Sequence, residues 1–384
     1  MFRVIFEPDR GQRVPIRVWA RSIAPDTVRQ LQKLASREYV VDFVAAMADA
    51  HVAEGVAVGT VFATERTVVP RALGGDLGCG MSAVRIGAGA TSIDRGTLET
   101  IVAALGRMIP TGDAVHRGQG VAVPDALFAA PLSTRSLEHT REALARRHLG
   151  TLGGGNHFLE LDRDPDGGLW LLVHSGSRGL GAAVAMHHDR VASGGSDDPL
   201  AGLDVETESG SAYMSDLRWA LDFARANREA LAMRALDVIG NALDVTVEAR
   251  IDIHHNFVAN ERWFGRDVYV HRKGAVAVRA GTLALIPGSM GTASYVVEGL
   301  GSEHSFGSCS HGAGRVMSRK QARSVIRPEA LDRAMRRVVY PSKLARHLVE
   351  EAPAAYRDIV EVLEDQDDLV RRRIRLEPIA VLKG

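Results

Sequence analysis

Glycine is bunched in this chain, and the bunching constrains how it can fold. Five islands stand out: LGGDLGCGM (73–81), GTLGGGNHFLEL (150–161), HSGSRGLG (174–181), IPGSMG (286–291) and SHGAGR (310–315). Such stretches do not extend helices or strands; they let backbone turn tightly and come close to other groups. The fold must therefore consist of regular elements delivering several tight loops, in a chain of 384 residues long enough to bury a sizeable core. Two cysteines exclude a disulfide framework and fit a reducing compartment. With 47 basic and 47 acidic residues, no whole-molecule electrostatic attraction to nucleic acid or membrane exists, only a local one. No apolar run approaches the roughly 20 residues of a bilayer span, and the opening MFRVIFEPDRGQRVPIRVWA lacks a secretory h-region. A cytoplasmic protein with no membrane partner is expected.

Between the islands the pattern is regular. Pro25 to Arg37 reads as a helix with proline in its first turn. Leu217, Leu221, Ala224, Leu231, Ala235 and Val238 keep helical spacing, which predicts a long helix over roughly 212–240. LWLLV (169–173), DVYVH (267–271), AVAVR (275–279) and ASYVV (293–297) read as short strands. Strands on both sides of the long helix, without βαβ alternation, favour an α+β fold over a doubly wound sheet. A single domain over 1–384 is expected, with 193–211 as a long exposed loop.

The islands carry side chains that bind metal or move protons. Asp76 and Cys79 stand i, i+3 in a Gly-rich turn, Asn156 and His157 follow three glycines, His174 closes the LWLLV run, and His255 and Asn256 lie in DIHHNF. Singly, a buried His or Cys is more often a core residue than a ligand. Jointly, Asp76, Cys79, His157, His174 and His255 form a mixed oxygen, sulfur and nitrogen set suited to a divalent first-row metal. The spacing is not that of a zinc finger. In SCSHGAGR (308–315), His311 is either a further ligand or a nucleophile activated at its other nitrogen, with Arg315 available to grip a phosphate. Cys309 is a rival nucleophile, and spacing leaves the choice open. No P-loop occurs. Eight basic residues against two acidic ones between Arg315 and Arg337 form either a solvated helical face or an RNA-facing patch.

Taken in order, DAHVAEGVAVG (49–59), GGDLGCGM, GTLGGGNHFLEL, VHSGSRGLG, HHNFV, HRKGAVAVRAG, IPGSMGTASYVV, SCSHGAGRVMSR and the final PIAVLKG resemble the RtcB family over nearly the whole chain. These are RNA ligases that use GTP and metal to join 3′-phosphate or 2′,3′-cyclic phosphate ends to 5′-hydroxyl ends. The resemblance implies an RtcB-like domain with mixed sheets, flanking helices and a deep metal and nucleotide cleft. It implies that Asp76, Cys79, His157, His174 and His255 hold two ions, usually Mn²⁺, through a shared thiolate; Zn²⁺ or another divalent metal can replace it in preparations. It implies His311 as the nucleophile that forms a histidine–GMP intermediate. Asn156, Glu160, Asn256, Ser289, Arg315 and Lys383 match positions around the guanylate, with Phe158 and Tyr356 packing near the base. A carboxylate at Glu160 suits guanine, because adenine leaves it unpaired. RNA splicing or RNA repair is the implied setting, with an activating protein as an additional partner. Ala53 and Ala48 depart from the glycine and proline frequent in the first motif. A metal-dependent RNA cyclic phosphodiesterase or phosphatase without ligation, and a non-catalytic RNA- or nucleotide-binding protein, are the competing readings.

Overall fold

In the computed structural model, which describes residues 3–88, 93–118, 120–341 and 345–384, the strands assemble into two large sheets and two small ribbons. One large sheet has six strands in the order Arg3–Ile5, Ile16–Val18, Val40–His51, Val58–Thr64, Arg266–Lys273 and Asn256–Trp263. Its single parallel pair is Ile16–Val18 with Val40–His51. The other has seven strands, all antiparallel: Val245–His254, Gly80–Ala88, Leu169–Ser175, Phe158–Arg163, Val370–Lys383, Ser294–Gly299 and Leu283–Ile286. The strands Val245–His254 and Asn256–Trp263 follow each other with only His255 between them, so one residue joins the two sheets. The mixed α and β content without a βαβ repeat agrees with the α+β expectation.

Helices cover the seven-stranded sheet on both faces, which explains why LWLLV is apolar without alternation. Leu169, Leu171 and Val173 pack with Leu159, Leu161 and Leu382 against Leu98, Ile101, Leu231, Ala235 and Val238 of the helices Arg95–Met108 and Glu208–Gly240. Trp170 and Leu172 pack on the opposite side with Phe158 and Val381, against Leu331, Leu348 and Val349. The period of two then places His174 on the same side as Phe158 and Glu160. The six-stranded sheet is likewise filled on both faces, by Leu31 and Leu34 of the helix Pro25–Ala35 on one and by Phe306, Cys309 and Val362 on the other.

The long helix begins at Glu208, where the Thr207 hydroxyl caps the Gly210 amide, four residues before the sequence pattern suggests. The stretch 193–211 is accordingly no continuous exposed loop. Its first residue closes the helix Arg178–Ser193, Leu203–Asp204 pairs with Thr67–Val68, and Leu200 and Leu203 are buried. Apolar anchors three residues apart tie down what polar composition made look free. No helix among the described residues is long and apolar enough to cross a membrane.

His271, to which the sequence assigns no chemistry, is a core histidine stacked on Phe62. Its Nδ1–H donates to the Tyr269 carbonyl and its Nε2 accepts from the Val69 amide at 3.1 Å. Burial pushes it down to about 3. An imidazole neutral in the fold but protonated once unfolded supports the fold fully above pH ~6.5, and that support is lost as pH falls toward its folded value. His271→Leu strands the Val69 N–H and should cost about 1–3 kcal/mol at pH 7.5. The gap to wild type should then narrow by about 1.4 kcal/mol per pH unit below 6. Urea unfolding at the two ends of this range measures it; a gap constant with pH removes the assignment.

Candidate active site

The donors predicted from separate islands meet at one place. Cys79 immediately precedes the strand Gly80–Ala88, His157 precedes Phe158–Arg163, His174 lies near the end of Leu169–Ser175, and His255 is the joint between sheets. Cys79 Sγ lies 3.4 Å from His157 Nε2 and 3.3 Å from His174 Nε2, and His174 Nε2 lies 3.4 Å from His255 Nε2. Asp76 Oδ2 is 3.0 Å from His157 Nε2. Two overlapping triads result, Cys79–His174–His255 and Asp76–Cys79–His157, each with donor atoms within 4.8 Å of one another. The thiol belongs to both.

Local backbone makes this convergence possible. The Cys79 amide closes a turn onto the Asp76 carbonyl at 3.1 Å. A Cβ on Gly80 would stand 2.1 Å from the Ile253 carbonyl, so only glycine lets the adjoining strand approach here. His157 Nδ1 donates to the Leu152 carbonyl at 2.8 Å and His174 Nδ1 to the Asn156 carbonyl at 3.1 Å. Those bonds fix the tautomers and aim both Nε2 lone pairs at the sulfur. Nitrogen, sulfur and carboxylate donors gathered this closely fit a divalent metal. Without the ion, burial and then the Asp76 charge push the Cys79 thiol well up, while burial drives His174 and His255 down. Burial raises the Asp76 carboxyl, but the hydrogen bond and charge of His157, with Cys79 and Arg178, together outweigh it and hold the group at about 2.

His311 stands next to this cluster, its ring 4.8 Å from that of His255. The sequence did not reveal its partner. Asp49, fully buried on the strand Val40–His51, accepts from His311 Nδ1 at 2.6 Å and from the His311 amide at 3.1 Å. Gly314 makes room, since a Cβ there would lie 2.5 Å from the Asp49 carbonyl oxygen. Cys309 is buried in the core with its thiol donating to the Ser310 carbonyl, and burial pushes that thiol up. The rival nucleophile is thereby removed.

A cavity of about 1000 Å³ runs past His311, lined also by His174, Asn156, Phe158, Glu160, Ser289, Arg315, Tyr356 and Lys383. Lys383 pairs with Phe158 across the ladder, and its Nζ donates to the Asn156 carbonyl at 3.0 Å. Glu351, absent from the sequence reading, is the hub of this wall. Buried, it takes Lys383 at 3.3 Å, Arg315 at 3.1 Å, Arg319 at 3.2 Å and the Tyr356 hydroxyl. Arg315 donates as well to the Met317 and Glu350 carbonyls, so the paired phosphate grip expected of it is taken up by the protein. Asn256 does not line the cavity. It clasps loops instead, donating to the Asp76 carbonyl and accepting the Gly274 amide.

These sites are set on one polar brace. Arg228, buried within the helix Glu208–Gly240, grips Asp252 through two nitrogens at 2.8 and 2.6 Å and donates to the Gly78 and Ser175 carbonyls. The sequence signal for it was an arginine interrupting the apolar stripe between Ala224 and Leu231.

The sequence model of one family, described as tRNA-splicing ligase RtcB, matches residues 30–133 and 129–384. The chain belongs to the RtcB family. RNA-splicing ligase RtcB of Escherichia coli K12 is 34% identical over 97% of this chain and 98% of its own length. RNA-splicing ligase RtcB1 of E. coli ATCC 25922 is also 34% identical with the same coverage. A more distant RtcB relative, the tRNA-splicing ligase of Pyrobaculum aerophilum, is 28% identical over 97% of this chain.

Because one thiol serves both triads, Cys79→Ala should lower divalent metal bound at both, whereas Cys309→Ala should bind as wild type. Metal analysis after dialysis decides it, and equal content in wild type and Cys79→Ala removes the ligand assignment. Arg228→Met leaves Asp252 without its bidentate partner and should cost about 3–5 kcal/mol. It should also weaken metal binding about 10–100-fold by loosening the loops that carry the donors. Denaturation and metal titration read the two effects separately.

Proposed function

We propose that this protein is a GTP-dependent RNA ligase that joins RNA 3′-phosphate or 2′,3′-cyclic phosphate ends to 5′-hydroxyl ends. The observation that carries this reading is the buried Asp49 carboxylate on His311 Nδ1, in a ring that adjoins the metal-donor cluster and faces the cleft. The names of the relatives support the same activity.

Asp49 fixes the proton on Nδ1 and leaves the Nε2 lone pair as the nucleophile. Nε2 attacks the α-phosphorus of GTP, a P–N bond forms, and the bond to the departing pyrophosphate breaks. Asp49 offsets the positive charge that develops on the ring. An oxygen of the RNA 3′-phosphate next attacks the same phosphorus and releases His311. The 5′-hydroxyl of the second end then attacks the activated 3′-phosphorus, loses its proton and expels GMP. Asp76, Cys79, His157, His174 and His255 would hold two Mn²⁺ ions, which when bound neutralise charge on phosphate oxygens.

Glu160, Lys383, Phe158 and Tyr356 form the base end of the cleft, and Asn156 and Ser289 lie between. RNA reaches the cleft along the helices Arg319–Val325 and Pro328–Ala334, where Lys320, Arg327, Arg333, Arg336 and Arg337 are exposed. This local basic face supplies what the zero net charge does not. Cytoplasmic RNA splicing or repair is the proposed setting.

Incubation with Mn²⁺ and α-labelled GTP should leave label on the denatured chain through an acid-labile, alkali-stable bond. His311→Ala should abolish it, and Cys309→Ala should keep it. Asp49→Asn should slow labelling at least ~100-fold, the usual worth of a positioned proton partner. Wild type that takes no label despite full metal loading excludes ligation by this route.

A further inference from the structure

Asp49 fastens two imidazoles, of which GMP attachment uses one. Its carboxylate accepts from His311 Nδ1 at 2.6 Å, and its backbone carbonyl oxygen lies 2.9 Å from His51 Nδ1. A carbonyl oxygen only accepts, so the His51 proton sits on Nδ1 and Nε2 carries a lone pair. No described residue hydrogen-bonds to that nitrogen, and His51 lines the same cleft as His311. The backbone holds the ring in place. His51 ends the strand Val40–His51, just past an irregularity in its ladder with Val58–Thr64, a device that re-aims side chains beside active sites. The Ala50 carbonyl between Asp49 and His51 is gripped by Arg357 at 2.8 Å.

The surroundings suit an RNA end that bears only a hydroxyl. Arg21, Ser22, Ala24, Thr27 and Asp358 also line the cleft, and the guanylate reading leaves them unused. Arg21 is taken up by Asp365 at 2.8 Å and Glu364 at 3.1 Å, and both terminal nitrogens of Arg357 donate to the Ser22 and Ala50 carbonyls. Neither arginine offers the paired grip that a phosphate takes. Glu160 and Lys383 belong to the seven-stranded sheet and His51 to the six-stranded one. Displacement at phosphorus places the attacking oxygen in line with the departing one, so the oxygen that expels GMP approaches from the side away from the guanylate. Burial holds the His51 imidazole below its usual value, with His311 and Arg357 adding to this and Asp49 opposing it. The ring is therefore neutral near pH 7, with Nε2 able to take a proton.

We propose that His51 is the general base of the sealing step: its Nε2 takes the proton of the RNA 5′-hydroxyl as that oxygen bonds to the activated 3′-phosphorus. The bond from this phosphorus to GMP breaks, and GMP leaves with the electron pair. The imidazolium keeps its Nδ1–H on the Asp49 carbonyl and then passes the other proton to solvent. Asp49 thus serves the two covalent steps through different atoms, its carboxylate for His311 and its carbonyl for His51. This rests on the ligase reading proposed above.

Sealing is measured with Mn²⁺ and an RNA strand that already carries GMP on its 3′-phosphate, so that the step is read without GMP attachment. Glutamine keeps a donor for the Asp49 carbonyl and cannot take a proton. With a 5′-hydroxyl partner strand, His51→Gln should seal about 100-fold more slowly than wild type. With a partner strand that ends in a 5′-thiol, which ionises unaided near pH ~8.5, the two proteins should seal within about 5-fold of each other. GMP attachment from GTP involves no RNA hydroxyl and should slow at most about 3-fold. Sealing by His51→Gln at the wild-type rate overturns the proposal. So does an equal loss with the thiol strand, or a matching loss of GMP attachment, since either marks a structural role. Wild type that seals this RNA but takes no label from GTP overturns the attachment step alone, and the comparison still decides the role of His51. Wild type that seals neither strand overturns both.

Discussion

The guanidinium of Arg228 braces the backbones that carry the candidate metal donors. Besides its bidentate grip on Asp252, it holds the Gly78 and Ser175 carbonyls and lies 3.3 Å from His254 Nδ1. Each of those three residues adjoins a donor: Cys79, His174 and His255. One cation thus sets three ligand-bearing backbones from a single helix. Asn227 beside it does the same for the glycine loop, accepting the Gly150 amide and donating to the Thr151 and Gly176 carbonyls. A buried ion pair rarely repays its desolvation. Here nearly every donor is matched, and the return is a fixed spacing of lone pairs.

The cleft is divided electrostatically. At one end imidazoles and a thiol converge, a set of donors that fits a divalent cation. At the other, Glu351 gathers Arg315, Arg319, Lys383 and Tyr356, and charge is already matched within the protein. Burial raises the Glu351 carboxyl, but Lys383 and the other partners outweigh it and hold it down. His311 with Asp49 stands between the ends. The GTP proposed above would meet metal charge at one end and a prearranged polar wall at the other.

Much of this was legible in the sequence because glycine marks where backbones come close. The islands delivered Asp76, Cys79, His157 and His174 to one place, and the apolar run LWLLV located the strand that carries His174. Asp49, Glu351 and Arg228 were not legible for a common reason: each acts through a partner distant in the chain. Asp49 lies 262 positions from His311; it opens the DAHVAEGVAVG motif, but nothing local names His311 as its partner. Arg315 misled in the opposite direction, since its spacing from His311 suggested a phosphate while Glu351 and Glu350 had prior claim. The 193–211 stretch misled because composition reports polarity, whereas Leu200 and Leu203 decide its path.

The one-residue joint at His255 links the two halves of the chemistry. His174 lies in the seven-stranded sheet and Cys79 and His157 just before two of its strands, whereas Asp49 belongs to the six-stranded one and His311 follows the strand Ser308–Ser310, paired to Ala275–Ala277. The His255 amide donates to the Cys79 carbonyl, and its own carbonyl accepts the Ala275 amide. Asn256 closes the seam through Asp76, Gly78 and Gly274. Rotating one sheet against the other would therefore break the backbone bonds on both sides of His255. The distance between His311 and the metal donors is set by backbone hydrogen bonds rather than by flexible side chains. The GMP transfer proposed above, with one phosphorus held near both His311 and metal charge, would need that rigidity.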